Sequence, residues 1–283
     1  MNNYMDKSFT KTDAVLVEKL IAQIDSRAAS QVELNLAMSL IDLTTLEGKD
    51  TDERVKDLCK KAIEAGTAAV CVYPSLVAVA KSALKDSGKK VASVAGGFPS
   101  GQLPLSLRLA EAQYAIEQGA DEIDMVISRG KFLEGKFEFI YDEVAAFKEV
   151  CKSVTLKVIL ETGELETLDN IRIASDIAIW AGADFIKTST GKMAVNATLP
   201  AICVMLQAIK DQYVATGKKV GIKPSGGISD GNTAAKYLRL TETIVGKEWL
   251  HPSLFRFGAS RLVDNIVAEI SGVQNSKSTT GGY

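Results

Sequence analysis

A lysine near the end of a short apolar run is the first residue whose setting suggests chemistry. Residues 184–192 read Asp-Phe-Ile-Lys-Thr-Ser-Thr-Gly-Lys, and their apolar run is too short for a helix. A strand with this ending places the amine of Lys187 in a buried wall beside a loop with free backbone N–H groups. Burial of an unpaired ammonium is costly and lowers its pKa, and a neutral amine attacks carbonyl carbons. The alternative is a lysine that pairs with a carboxylate.

Alternation along the other predicted strands brings further charges to the same side. In residues 122–127 (Glu-Ile-Asp-Met-Val-Ile) the apolar side chains share one face, so Glu122 and Asp124 point the other way. The same parity places together Asp42, Cys71, Asp124, Lys157, Lys187 and Lys223.

Two aspartates then face three lysines, and the charges balance if one lysine is neutral. A second ammonium nearby lowers the pKa of a nucleophilic lysine, and an aspartate can move protons through a bridging water. This set therefore favours Schiff-base chemistry. The alternative is a stabilising ion network, although apolar replacements of such networks are often no less stable.

Eight short strands, each followed by a helix, must position these side chains. Strict alternation predicts a parallel sheet covered by helices. Eight such units without a long linker predict an α/β fold of the (β/α)8 (TIM) barrel type, in which the carboxyl ends of the strands form the active face. An open doubly wound sheet is the weaker alternative, because no G-x-G-x-x-G opens the first unit. The predicted strands include residues 68–73, 90–95, 122–127, 155–160, 219–223 and 254–258.

We expect residues 1–283 to form one barrel domain. A helical extension covers about residues 1–30, with one helix over 13–27, where apolar residues recur at helical spacing. The small polar residues at about 275–283 predict a flexible tail.

Small, glycine-containing loops follow the last three predicted strands. Residues 224–227 read Pro-Ser-Gly-Gly and residues 258–260 read Gly-Ala-Ser, with Ser260 opening a helix. Barrels often bind phosphate at this position through backbone N–H groups and a helix N-terminus, and Gly191 and Lys192 can add to such a site. Each loop alone is weak support, because glycine also fills tight turns for steric reasons.

Composition indicates a soluble, cytoplasmic protein. The net charge of -2 gives no electrostatic reason to bind nucleic acid or a membrane. The four cysteines form no CxxC pair, which suggests reduced thiols, and neither a signal peptide nor a membrane span is predicted. A single histidine, His251, argues against a zinc site or a His-dependent triad.

The sequence resembles the deoxyribose-phosphate aldolases, a family of class I aldolases. The similarity covers most of the chain after about residue 30. Its motifs are Ile-Asp-Leu-Thr-Thr-Leu (41–46), Ala-Asp-Glu-Ile-Asp (120–124), Glu-Thr-Gly-Glu-Leu (161–165), Ala-Gly-Ala-Asp-Phe-Ile-Lys-Thr-Ser-Thr-Gly-Lys (181–192), Val-Asn-Ala-Thr (195–198), Gly-Ile-Lys-Pro-Ser-Gly-Gly (221–227) and Arg-Phe-Gly-Ala-Ser (256–260).

This resemblance implies reversible cleavage of 2-deoxy-D-ribose 5-phosphate to acetaldehyde and D-glyceraldehyde 3-phosphate, without metal or cofactor, in deoxyribose phosphate catabolism. It implies that Lys187 forms the imine, that Lys223 lowers the pKa of that amine, and that Asp124 relays protons. A tyrosine often ends the family pattern, so Tyr283 is a candidate for proton transfer. Substrate-binding positions are implied for Asp42, Cys71, Gly191, Lys192, Gly226, Gly227, Gly258 and Ser260.

Two residues depart from the family pattern near the expected phosphate site. Ser225 stands where alanine is common, and Arg261 where a small hydroxyl residue is usual. The second change leaves open whether the arginine contacts phosphate. The partners implied are a sugar phosphate and an aldehyde, and a homodimer is a further expectation.

Two other classes stay open at this point. A transaldolase-like or hexose-phosphate aldolase would keep the reactive lysine and differ in its substrates. A non-catalytic barrel that senses a sugar phosphate would keep the glycine loops and need no reactive lysine.

Overall fold

The computed structural model describes residues 9–271 and confirms the predicted (β/α)8 architecture. Its strands are β1 (Ile41–Thr44), β2 (Ala69–Val72), β3 (Lys90–Ala95), β4 (Glu122–Val126), β5 (Thr155–Ile159), β6 (Phe185–Lys187), β7 (Gly221–Lys223) and β8 (Phe257–Ala259).

The helices lie before, between and after these strands. They are α1 (Ala14–Ala22), α2 (Gln31–Ser39), α3 (Asp52–Ala65), α4 (Val77–Ala83), α5 (Leu105–Glu117), α6 (Arg129–Leu133), α7 (Phe137–Cys151), α8 (Leu168–Trp180), α9 (Leu199–Thr216), α10 (Gly231–Val245) and α11 (Leu262–Ser271). Side-chain oxygens cap the first turns of α3, α8, α9 and α10, at Thr51, Thr167, Thr198 and Asp230.

The barrel closes between its seventh and eighth strands. Seven parallel pairings link the strands in the order β7-β6-β5-β4-β3-β2-β1-β8. Backbone hydrogen bonds complete the cylinder: the N–H of Ile222 donates to Leu254 O at 2.9 Å, and the N–H of Arg256 donates to Ile222 O at 3.0 Å. The carboxyl ends of all eight strands therefore meet at one mouth.

The structure differs from the sequence-based prediction at three places. The helix expected over residues 13–27 is shorter, as α1, and the segment before β1, expected to be helical or extended, is helical in α2 because the Ser30 hydroxyl and the Glu33 carboxylate form a capping box. The short helix α6 occupies the connection after β4, for which no helix or strand was predicted. Strand β8 begins three residues later than expected, since residues 254–256 contact β7 only through isolated bonds.

Alternation sorts the side chains of the strands as predicted. Ile123, Met125 and Ile127 belong to the apolar core between the strands and the helices. Asp124, between them, points to the barrel interior, where it contacts charged residues. Within residues 9–271, no helix is both long enough and apolar enough to cross a membrane.

Candidate active site

The carboxylate of Asp124 lies at the centre of a buried cluster of lysines. The Nζ atoms of Lys187 and Lys223 both contact its Oδ2, at 2.8 and 2.7 Å, and Lys157 Nζ contacts its Oδ1 at 2.9 Å. The side chain of Lys187 is 3% exposed, and those of Lys157 and Lys223 are fully buried. The three lysines that strand parity predicted to share the interior therefore meet on one aspartate.

Strand register explains this convergence. Asp124 on β4 is paired with Lys157 on β5, and Lys187 on β6 is paired with Lys223 on β7. Paired residues on neighbouring strands point to the same side, so four consecutive strands each contribute at least one charged side chain to the interior.

A second group of charges lies beside the first. Asp42, on β1, accepts hydrogen bonds from Lys223 and from Arg256 Nη1 (2.5 Å). The same arginine donates to Glu122 through Nη2 at 2.7 Å. Lys157 Nζ completes the network at 2.5 Å from Glu122 Oε2. The cluster thus holds three carboxylates and four cationic side chains.

The sequence-based count of two aspartates and three lysines was therefore incomplete. Glu122 was predicted to face the interior but was left out of that count. Arg256 was missed, although it lies in the predicted last strand, two residues before Gly258, which is paired with Asp42 and so faces the interior. Because one carboxylate and one cation were omitted, the excess of one positive charge is unchanged.

Lys187 differs electrostatically from its two neighbours. Burial lowers the pKa of the Lys187 amine, and the Lys223 ammonium lowers it further, against the opposing effect of Asp124. Burial would also lower the pKa of Lys223, but Asp124 and Asp42 more than offset it and raise that pKa well above its usual value. The pKa of Lys157 is likewise raised, because Asp124 and Glu122 outweigh burial. The amine that loses its proton most readily is therefore that of Lys187.

An apolar wall lies across the interior from this amine. Cys71, Ala92 and Val94 on β2 and β3 form a small cluster with Leu46, and the rings of Tyr73 and Phe98 pack against it. Burial raises the pKa of the Cys71 thiol, and the Asp124 charge raises it further, so the thiol stays protonated at neutral pH. Such a surface suits a small, uncharged reactant.

The loops after β6 and β7, and β8 itself, carry the glycines that were predicted to bind phosphate. Gly191, Gly226 and Gly227 have φ angles of +81°, +77° and +76°, a region that other residues rarely adopt. A Cβ on Gly226 would lie 2.4 Å from the side-chain oxygen of Asn196. A Cβ on Gly258 would lie 2.3 Å from Ser225 Oγ. The serine that departs from the family pattern therefore packs against Gly258.

The remaining predicted residues lie at the rim or beyond the described range. Lys192 Nζ contacts Glu47 Oε1 at 3.1 Å, which joins the loop after β6 to the loop after β1. Ser260 is half-buried before α11, and Arg261 is exposed. Tyr283 and the predicted tail over residues 275–283 lie outside the described residues.

Arg256→Met is expected to destabilise the protein by about 3 kcal/mol, because it removes the buried cation that Asp42 and Glu122 share and leaves them only their contacts with Lys223 and Lys157. Urea denaturation followed by circular dichroism measures this loss. Arg261→Met, at an exposed arginine, serves as a control and should change stability by less than about 0.5 kcal/mol. Equal stability of the two variants would contradict a structural role for Arg256.

Comparison with known proteins places this barrel, with its buried cluster of lysines, among the aldolases, which are carbon–carbon lyases. A sequence model of the DeoC/LacD family aldolases matches residues 36–243. The chain belongs to the DeoC/LacD aldolase family.

Individual relatives cover most of the chain. It is 49% identical to the deoxyribose-phosphate aldolase of Homo sapiens over 252 residues, covering 83% of this chain and 79% of the human one. It is 48% identical to the deoxyribose-phosphate aldolase of Agrobacterium fabrum, covering 87% and 95%. The tetrameric deoxyribose phosphate aldolase of Aeropyrum pernix has a similar structure, with a TM-score of 0.68, 27% identity, and coverage of 93% of this chain and 100% of that one.

Proposed function

We propose that this protein cleaves 2-deoxy-D-ribose 5-phosphate reversibly to acetaldehyde and D-glyceraldehyde 3-phosphate through an imine on Lys187. One observation carries the proposal: three buried lysines meet on the Asp124 carboxylate. Among them, burial and the Lys223 charge lower the pKa of Lys187 alone. The names of the two relatives with 48–49% identity support the choice of substrate.

In the cleavage direction, the amine of Lys187 adds to the C1 aldehyde of the open-chain sugar. Loss of water gives an iminium, which is the electron sink for the next step. The C2–C3 bond breaks as its electron pair moves toward the iminium and forms an enamine. The C3 hydroxyl loses its proton and becomes the aldehyde of glyceraldehyde 3-phosphate. Protonation of the enamine carbon and hydrolysis release acetaldehyde and restore the amine.

Asp124 and Lys223 carry the protons of this sequence together with a bridging water. Burial would raise the pKa of Asp124, but Lys157, Lys187 and Lys223 lower it well below its usual value. The Lys187 amine and the charged Lys223 ammonium thus contact the same oxygen of the ionised Asp124 carboxylate. A group that accepts protons and a group that donates them are both within reach of the imine nitrogen.

The two ends of the site fit the two products. The apolar wall formed by Leu46, Cys71, Ala92 and Val94 suits the two-carbon acetaldehyde unit. The glycine loops after β6 and β7, with Gly258 on β8 and with Lys192 and Ser260, suit the phosphate of the three-carbon unit. Phosphate binding far from the reacting carbons supplies orientation energy for the cleavage step.

Comparison of aldol donors tests the proposal against its alternatives. With D-glyceraldehyde 3-phosphate as acceptor, the protein should form a product with acetaldehyde and none with dihydroxyacetone phosphate. Preference for dihydroxyacetone phosphate would support a hexose-phosphate aldolase. No product with either donor, together with tight sugar phosphate binding, would support a non-catalytic sensor.

We also propose a role for this reaction in deoxyribose phosphate breakdown in the cytoplasm. The two relatives are named for this reaction, which supports the pathway assignment. The four cysteines of the chain are free and buried, which is consistent with a reducing compartment. The expected homodimer stays a prediction; the Aeropyrum pernix relative is a tetramer.

A further inference from the structure

Glu161 is a buried carboxylate that the proposed reaction does not use. It follows β5 directly, its side chain is fully buried, and its φ angle is +57°. A residue other than glycine keeps such a conformation only where surrounding contacts enforce it, and such positions cluster at functional sites. Burial raises the pKa of the Glu161 carboxyl, although hydrogen bonds from Thr190 and the charge of Arg129 partly oppose this. Both its burial and its backbone conformation are therefore unfavourable in isolation.

The carboxylate holds a turn in the loop after β6. The backbone N–H of Thr190 donates to both oxygens of Glu161, at 3.2 and 3.3 Å, and the Thr190 hydroxyl donates to Oε2. The Thr190 hydroxyl oxygen in turn accepts the backbone N–H of Lys192 at 3.1 Å. This chain of hydrogen bonds encloses Gly191, so Glu161 fixes the backbone that carries two of the residues assigned to phosphate.

Arg129 extends the same network to the preceding loops. Its Nη1 lies 3.6 Å from Glu161 Oε2 and donates to the carbonyl of Pro99 at 2.9 Å. Its Nε lies 2.6 Å from Glu164 Oε2. The side chain therefore joins the loops after β3, β4 and β5, and Glu161 transmits that support to the loop after β6.

The far end of the loop after β6 rests on the same turn. A Cβ added to Gly163 would lie 2.3 Å from the carbonyl oxygen of Val195. The turn at 161–164 thus contacts the loop at Thr190 and again near Val195. Two separated contacts determine the orientation of the segment between them, and this segment contains Lys192.

We propose that Glu161 is a positioning residue that holds the turn at residues 190–192 ready for the substrate phosphate. The inference rests on the proposed function, since it assumes that this turn receives the phosphate. Glu161 acts through Thr190 and touches no reacting atom. Its loss should therefore weaken the use of phosphorylated substrate far more than that of the same sugar without phosphate.

Glu161→Gln tests this role with almost no change in side-chain size. An amide has one acceptor oxygen for donors that now use both carboxylate oxygens, and it lacks the charge that strengthens such bonds. We expect KM for 2-deoxyribose 5-phosphate to rise about tenfold or more, because small misplacements of binding groups are costly. Activity on 2-deoxyribose should change by less than about twofold, since that substrate lacks the group that this turn orients.

Glu164→Gln is the matched control. Glu164 contacts the same arginine but is 40% exposed and has no contact with Thr190 in the part of the chain described. This variant should keep the wild-type preference for phosphorylated substrate. Equal losses of activity on both substrates in Glu161→Gln would contradict the positioning role and mean that Glu161 only stabilises the fold. An unchanged KM for the phosphorylated sugar would also overturn the proposal.

A second variant alters the other partner of the same contact, and it can be measured alone if Glu161→Gln folds poorly. Thr190→Val keeps the shape of the side chain and removes the hydroxyl that donates to Glu161 and accepts from Lys192. The same selective rise in KM is expected, and the double variant should lose little more than the worse single variant. Additive losses would contradict action through Thr190.

Failure of the proposed function has a different signature. Borohydride trapping of acetaldehyde on wild-type protein depends on the amine of Lys187 and not on a phosphate. Trapping that persists in Glu161→Gln, with the phosphate preference lost, supports the positioning role. Absence of trapping in the wild type would refute the reaction itself and remove the basis of the inference.

Discussion

Lys187→Ala is expected to abolish aldol cleavage and to leave the fold intact. Removal of the nucleophile stops imine formation, so kcat should fall on the order of 10⁴-fold or more. The fold should persist because a neutral Lys187 leaves three carboxylates facing Lys157, Lys223 and Arg256. The buried charges then still balance after the substitution. A coupled assay for glyceraldehyde 3-phosphate and a thermal unfolding curve measure the two effects.

Lys61→Ala is a suitable control for this experiment. Lys61 lies on α3 and pairs with Asp264, away from the barrel interior. Its substitution should leave turnover unchanged. Substantial aldol activity in Lys187→Ala would mean that another residue forms the covalent intermediate. Global unfolding of Lys187→Ala would instead mean that its ammonium is needed to balance the cluster.

Lys223→Leu is expected to move the acidic limb of the pH–rate profile upward. Cleavage requires neutral Lys187, so the rate rises as pH passes through the pKa of that amine. The Lys223 ammonium lowers this pKa, and its loss leaves the cluster one positive charge short, which a proton on Lys187 can supply. We expect an upward shift of about one pH unit or more, and a rate near pH 7 lower by about a hundredfold, because proton transfer is also impaired.

The pH dependence of kcat/KM between pH 5 and about pH 10 provides this measurement, a range chosen to bracket a lowered lysine pKa. The direction of the shift distinguishes two roles for Lys223. An upward shift with a lower plateau supports both the electrostatic role and the role in proton transfer. A lower plateau with an unchanged limb would leave only proton transfer, and an unchanged profile would remove Lys223 from the mechanism.

The side chains that face the barrel interior were predictable, because their direction depends on the two-residue period of each strand and on the register between strands. Parallel strands bring residues of the same parity together, so Asp124, Lys187 and Lys223 could be placed in one interior from the sequence alone. Arg256 was overlooked because it was treated only as part of a family motif. Counting charges by strand parity along residues 254–258 would have found it, since Arg256 lies two residues before Gly258, which is paired with the interior residue Asp42.

The contacts between loops at the rim of the site were harder to predict from the sequence. The contact of Glu161 with Thr190 and that of Lys192 with Glu47 join different loops. Side-chain periodicity does not extend into irregular loops, so spacing along the chain does not indicate which loops meet. Arg129 was missed for the same reason, because α6 occupies a connection that carried no clear helical pattern.

Imine trapping tests the central claim most directly. The protein is incubated with acetaldehyde, reduced with borohydride, digested and mapped by mass spectrometry. The proposed chemistry predicts an ethyl group on Lys187, with Lys157 and Lys223 unmodified because their raised pKa values keep them protonated. Labelling of another lysine would move the nucleophile, and no specific labelling would contradict the imine mechanism altogether.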